Sequence, residues 1–170
     1  MSCDITLGRL EGCKDQIGGL NAIYFVNYGD ASWTVADETI TGITETTPAA
    51  FKYDLRGSST FEQALTSSRE NGTSFAEQTL TVSLKKQDSS TNKEVKLLAY
   101  GRPQILIEDN NGNVFVMGEE FGAEMTASTS TGAAMGDKSG YELTFVASEK
   151  GLAKFYTGTV ATDFAVTVGA

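Results

Sequence analysis

Four runs decide how this chain folds: TLTVSLKK (79–86), STNKEVKLLAYGR (90–102), QILIEDNNGNVFVMGEE (104–120) and SGYELTFVAS (139–148). In the first, Leu80, Val82 and Leu84 alternate with Thr79, Thr81, Ser83 and Lys85, the two-residue period of a strand with one face in a core. In the second, Thr91 and Glu94 have the spacing of a capping box, Val95, Leu98 and Ala99 share one helix face, and Gly101 with Pro103 ends the run. A helix is expected over about 91–101, short enough to need a sheet to pack against. The third run reads as a hairpin, 104–109 and 113–118 around Asn110-Asn111-Gly112, with Ile105 and Ile107 toward the core and Leu106 opposite. The strand after it is expected to cover 119–128, with Phe121, Ala123, Met125 and Ala127 on one side and Glu120, Glu124, Thr126 and Ser128 on the other. The last run sets Tyr141, Leu143 and Phe145 against Glu142, Thr144 and Val146, with a long Gly/Ser/Thr loop, 129–140, before it.

Outward from this block the pattern stays β-rich. Asn21–Tyr28 (NAIYFVNY) reads as a first strand, Trp33–Ala36 and Glu38–Ile43 as a pair, and Phe51, Tyr53 and Leu55 as one face of another strand. Residues 59–65 fit either a capped helix (Ser59, Glu62) or a strand. With Asn71-Gly72 as a turn signal, 57–75 is expected to form a projecting loop or ribbon. Residues 1–20 carry scattered apolar positions among four glycines and read as an arm that needs a partner surface. Residues 151–170 read as an added strand or C-terminal extension. The expected fold is a single domain, mainly β, a β-sandwich or half-open barrel with one short helix and extended arms.

The 170 residues carry a formal net charge of -9, with a pI near 4.5 and a mean hydropathy of -0.17. Gripping nucleic acid by its phosphates requires clustered Lys and Arg, which this composition disfavours. The absence of histidine removes His-based triads and the commonest metal ligand. Cys3 and Cys13 cannot make a zinc site alone and read as free thiols or a closed pair. Asp109-Asn110-Asn111-Gly112-Asn113 begins like a calcium loop, but Val114 stands where that loop requires glycine. GAAMGDKSG (132–140) lacks the Gly-Lys-Ser/Thr ending of a phosphate-cradling loop. Neither an enzymatic activity nor a cofactor or metal is expected. The first residues, MSCDITLGRL, lack a basic region and a long apolar run, so neither a signal peptide nor a membrane association is expected.

The order of elements over about 75–150 resembles the tail tube proteins of tailed bacteriophages, which are related to the tubes of contractile injection devices. The likeness rests on a strand, a short capped helix, a hairpin with an Asp-Asn-Asn-Gly-Asn turn, a Ser/Thr/Gly loop and the closing GYELTFVASE strand (140–149). It implies a β-sandwich virion subunit that joins copies of itself, usually six, into stacked rings around a channel through which DNA passes without specific binding. Other tail or neck proteins would be its further partners. On that reading Thr79, Thr81, Ser83, Glu124, Thr126, Ser128, Glu142 and Thr144 would face the channel. Ile5, Leu7, Leu10, Phe61, Arg69 and Glu70 would serve ring stacking. A neck or connector ring of a short-tailed phage is the nearest alternative. A monomeric carbohydrate-binding sandwich, using Trp33 with Tyr24 or Tyr28 as an aromatic platform, belongs to a different class.

Overall fold

The computed structural model describes residues 3–44 and 47–169; it is mainly β, a two-sheet sandwich with one substantial helix. The strands are β1 (Leu20–Val26), β2 (Trp33–Ala36), β3 (Thr39–Ile43), β4 (Ala49–Asp54), β5 (Thr60–Ser68), β6 (Thr73–Lys85), β7 (Gln104–Asp109), β8 (Val114–Met117), β9 (Glu124–Ser130), β10 (Gly140–Glu149), β11 (Lys154–Tyr156) and β12 (Ala165–Val168). The helices are α1 (Ser89–Tyr100) and the single turn α2 (Val160–Asp163). Eight strands form one sheet in the order β12-β4-β1-β7-β8-β11-β3-β2, and four form the other in the order β5-β6-β10-β9. Among the described residues, no helix is long and apolar enough to cross a membrane.

Strand alternation sends side chains from the middle of the large sheet into two separate cores. Ile23, Phe25, Ile105, Ile107 and Met117 meet Leu80, Val82, Leu143 and Phe145 of the small sheet. The intervening residues Ala22, Tyr24, Val26, Leu106 and Val116 fill a second cluster with Ile40, Ala50, Tyr156 and Phe164. That second core draws on strands from one end of the large sheet to the other. Trp33 on edge strand β2 lies 5.9 Å (ring centroids) from Phe164, which immediately precedes the opposite edge strand β12. The large sheet is therefore rolled into a half-barrel, with α2 and Phe164 bridging its two edges.

Some expectations narrow and others change. Of the loop and ribbon alternatives for 57–75 the structure has the ribbon: β5 and β6 pair in continuous register from Thr60↔Thr81 to Ser68↔Thr73, leaving 69–72 as the turn. The strand alternative wins because Phe61 finds an apolar partner, Phe115, at 6.0 Å. The helix starts earlier than 91. Its N-cap is Asp88, whose carboxylate accepts from Thr91 N at 2.7 Å and Thr91 Oγ1 at 2.9 Å, so Thr91 sits inside the first turn. Val95 and Leu98 pack against the inter-sheet core, but Ala99 is exposed. The strand expected over 119–128 begins only at Glu124. Before it the chain turns at Gly118 and Gly122, where a Cβ on Gly122 (φ +75°) would lie 2.6 Å from Arg102 O. The C-terminal residues 151–169 are integral to the large sheet: β11 joins β8 to β3, and β12 pairs in parallel with β4. The hairpin turn, in contrast, is held by its own aspartate, with Asp109 Oδ1 accepting from Asn111 N at 3.0 Å and Asn113 N at 2.8 Å.

Polar side chains lock the layers together. Buried Gln78 on β6 accepts from Gly118 N at 3.2 Å and donates to Gly151 O at 3.3 Å. Its cross-strand neighbour Gln63 accepts from Ala153 N at 2.6 Å. Each bond satisfies a backbone group on the large-sheet side that would otherwise lose its partner. Gly140, at the start of β10, runs so close to β6 that an added Cβ would sit 2.0 Å from Leu84 O. Gly140→Ala is expected to cost about 1–3 kcal/mol through backbone displacement, read as a drop in melting temperature. Gly136→Ala, where a Cβ meets nothing within 4 Å, should leave the melting temperature unchanged; equal melting of both variants would refute the packing at Gly140.

Candidate functional site

The small sheet presents one face to the inter-sheet core and the other outward, and the outward face collects the polar residues of four strands. Direct cross-strand partners share a face. The register aligns Thr60, Thr81, Thr144 and Thr126 in one row across β5, β6, β10 and β9. A neighbouring row holds Glu62, Thr79, Val146 and Glu124, and the next on the other side holds Ser83, Glu142 and Ser128. All eight residues expected to line a channel thus lie on this one surface. Thr79, Thr81, Ser83 and Thr144, on the two central strands, are half-buried; Glu124, Thr126, Ser128 and Glu142 are exposed. Thr60, Glu62 and Glu77 belong to the same face and are not among the residues the sequence points to. Residues 59–65 fit helix and strand alike, and β6 begins at Thr73, ahead of the expected Thr79, so it takes in Glu77.

The charge of this face is less uniform than the sequence implies. Lys138, from the loop between β9 and β10, folds over it to bind both Ser83 Oγ and the Glu142 carboxylate. Ser83 Oγ also donates to Glu142 at 3.2 Å. Hydrogen bonding from Lys138 holds the Glu142 carboxyl below its usual range. Glu142 is therefore a paired charge, whereas Glu62, Glu77 and Glu124 keep the face acidic. The loop carrying Lys138 is ordered by Asp137, whose carboxylate accepts from Ala133 N at 3.0 Å and Ala134 N at 2.9 Å. Those bonds also lower its own pKa.

The residues expected to mediate stacking separate into three places. Ile5, Leu7 and Leu10 lie in the arm, 95%, 87% and 92% exposed. Arg69 and Glu70 form the exposed tip of the β5–β6 hairpin. Phe61 does not belong with them: it points into the sandwich against Phe115, because its strand position puts it on the core face. Near β1 the arm is tied to the turn between β7 and β8. Ile17 exchanges two hydrogen bonds with the Asn111 side chain (3.0 and 2.8 Å), and Asn110 Nδ2 donates to Gly18 O at 2.8 Å. The turn that resembles the start of a calcium loop thus acts as a tether.

Trp33 and Tyr24 are committed to the half-barrel core, and Tyr28 is covered by Arg102, whose guanidinium carbon lies 4.1 Å from the ring centroid. The aromatic platform considered for a carbohydrate is thereby dispersed. Glu119 and Glu120 stand in the turn before β9, bound to Lys154 at 2.8 Å and Lys150 at 3.0 Å, so Glu120 does not continue the face of Glu124. A cleft of about 840 Å³ opens where β4, β6 and β12 meet the start of α1. It mixes Lys52, Arg56, Lys85 and Lys86 with Asp54, Asp88 and Glu94 and gathers no single sign of charge. Comparison with family models, with curated proteins and with solved structures gave no match.

One carboxylate near this turn is buried. Glu149, at the end of β10, accepts from Phe121 N at 3.1 Å. Desolvation, reinforced by the nearby Glu120 and Glu119 charges, raises its pKa above the usual value despite the backbone hydrogen bonds it accepts. A raised folded-state pKa favours the fold while the group is protonated, and that contribution is lost as pH rises through the raised value. Glu149→Gln is therefore expected to match the wild type in melting temperature near pH 4 and to exceed it near pH 7. A variant that falls below the wild type as pH rises would contradict the assigned burial.

Proposed function

We propose that this chain is a structural subunit of a bacteriophage tail tube, closing with copies of itself, expected to number six, into stacked rings around a DNA-conducting channel. The observation that carries this reading is the small sheet. Its edges, β5 and β9, contain neither proline nor lysine along 9 and 7 residues, although natural edge strands are usually blunted by such residues. Pairing β9 of one subunit with β5 of the next would extend the sheet around a ring and remove both edges. It would also turn the Thr, Ser and Glu face into the lining of a continuous wall. Such a wall offers hydroxyls and carboxylates and few cations, so it releases no counterions from DNA and gives it no binding site. The exposed arm and the β5–β6 hairpin tip would reach the adjacent ring. The site of action would be the virion tail, assembled in the host cytoplasm, next to other tail or neck proteins.

Electron microscopy of the purified full chain tests this: rings or tubes with a central hole are expected, with six-fold symmetry distinguishing a tube subunit from a connector of other stoichiometry. Ala64→Lys on β5 and Ala127→Lys on β9 replace exposed side chains and are expected to leave the monomer fold within about 0.5 kcal/mol. Each should lower the assembled fraction on the order of tenfold by placing a charge at the pairing edge. Monomers that persist at high concentration, or variants that assemble as well as the parent, would refute the ring.

A further inference from the structure

Cys3 and Cys13 are free and exposed, and they bracket the nine residues 4–12, the part of the arm that carries Ile5, Leu7 and Leu10. Ile17 and Gly18 hydrogen-bond to the side chains of Asn110 and Asn111 in the body of the protein. At Gly8 and Gly12 an added Cβ would meet nothing within 4 Å, so the chain has room at both positions. Two glycines within a short exposed run also let the chain bend back on itself at little cost.

We propose that Cys3 and Cys13 are a thiol-disulfide site, oxidised by a low-molecular-weight disulfide such as glutathione disulfide, and that closing the bridge retracts the arm from its partner. One thiolate attacks a sulfur of glutathione disulfide, forming a mixed disulfide and expelling one glutathione thiolate. The second cysteine thiolate attacks the protein sulfur of that mixed disulfide and expels the other glutathione thiolate. Two protein thiols lose two electrons and two protons; the glutathione disulfide gains both as two glutathione thiols. Two thiols joined by a short flexible segment see each other at an effective concentration on the order of millimolar, so the internal bridge outcompetes links between dilute subunits.

The geometric consequence is large. Fully extended, ten Cα-to-Cα steps span about 33–36 Å, whereas a disulfide holds its Cα atoms within about 7 Å. Closure curls Ile5, Leu7 and Leu10 into one small ring, where they can no longer lie along a neighbouring surface. The effect on assembly rests on the reading of the arm as a contact between subunits; the bridge itself does not.

The full-length protein is incubated with glutathione disulfide or with excess reduced glutathione and examined by intact mass, peptide mapping and sedimentation. The expected oxidised species is a monomer lighter by two hydrogens, closed to alkylation, giving a Cys3–Cys13 cross-linked peptide that reduced glutathione reopens. Its assembled fraction should fall on the order of tenfold below that of the reduced protein, while Cys3→Ser/Cys13→Ser protein assembles equally in both buffers. Lasting glutathione adducts or disulfide-linked dimers in place of the internal bridge would overturn the site. An internally bridged protein that assembles as well as the double serine variant would overturn the switching role and leave the ring reading intact. Failure of the reduced, oxidised and serine proteins alike to assemble would overturn both the ring reading and the switching role.

Discussion

Burial of β1, β7 and β8 on both faces is the constraint from which the rest of the structure follows. Ile23, Phe25, Ile105 and Ile107 point to one side, and Ala22, Tyr24, Val26 and Leu106 to the other; all are buried. A sheet with two apolar faces needs two covers. The four-stranded sheet and α1 supply one. The chain makes the other from the large sheet itself, by rolling β2 and β12 toward each other over Phe164 and Tyr156.

The two sheets treat their edges differently as a result. Rolling brings the large sheet's edges to opposite sides of α2, with Trp33 meeting Phe164, and the C-terminal strands are spent on this closure. The small sheet is not closed in this way: β5 and β9 end it on either side, with α1 beside β9, Gln87 donating to Ser130 O at 2.9 Å and a polar face between the two edges. In the ring proposed above, these two edges would pair and the polar face spanning four strands would become a wall.

The sequence legibly carried whatever depends on local period. Alternation in 79–85 and 141–147 assigns the correct residues to the inter-sheet core, and together with that in 124–128 it places eight polar residues on a common face. The Asn110-Asn111-Gly112 turn was readable from its turn chemistry. Pairing partners were not. Residues 59–65 satisfy helical and strand patterns equally, and only Phe115, more than fifty residues away, decides between them. Glu119 and Glu120 follow a hairpin strand without a break in pattern, yet close approach of Gly122 to Arg102 turns the chain there. The helix cap moved to Asp88 because a carboxylate three residues earlier competes for the same amide that defined the Thr91 box. The ion pair between Lys138 and Glu142 depends on how a loop folds over the sheet, which periodicity does not encode.

The central claim is that β5 and β9 find their partners in other copies of the chain. Amide hydrogen exchange, compared between dilute and concentrated protein and resolved to individual strands, tests it most directly. Protection should rise with concentration along Thr60–Ser68 and Glu124–Ser130, while the edges of the large sheet, Trp33–Ala36 and Ala165–Val168, exchange as before. Exchange along β5 and β9 that is indifferent to concentration, or protection that appears only at β2 and β12, would contradict the account.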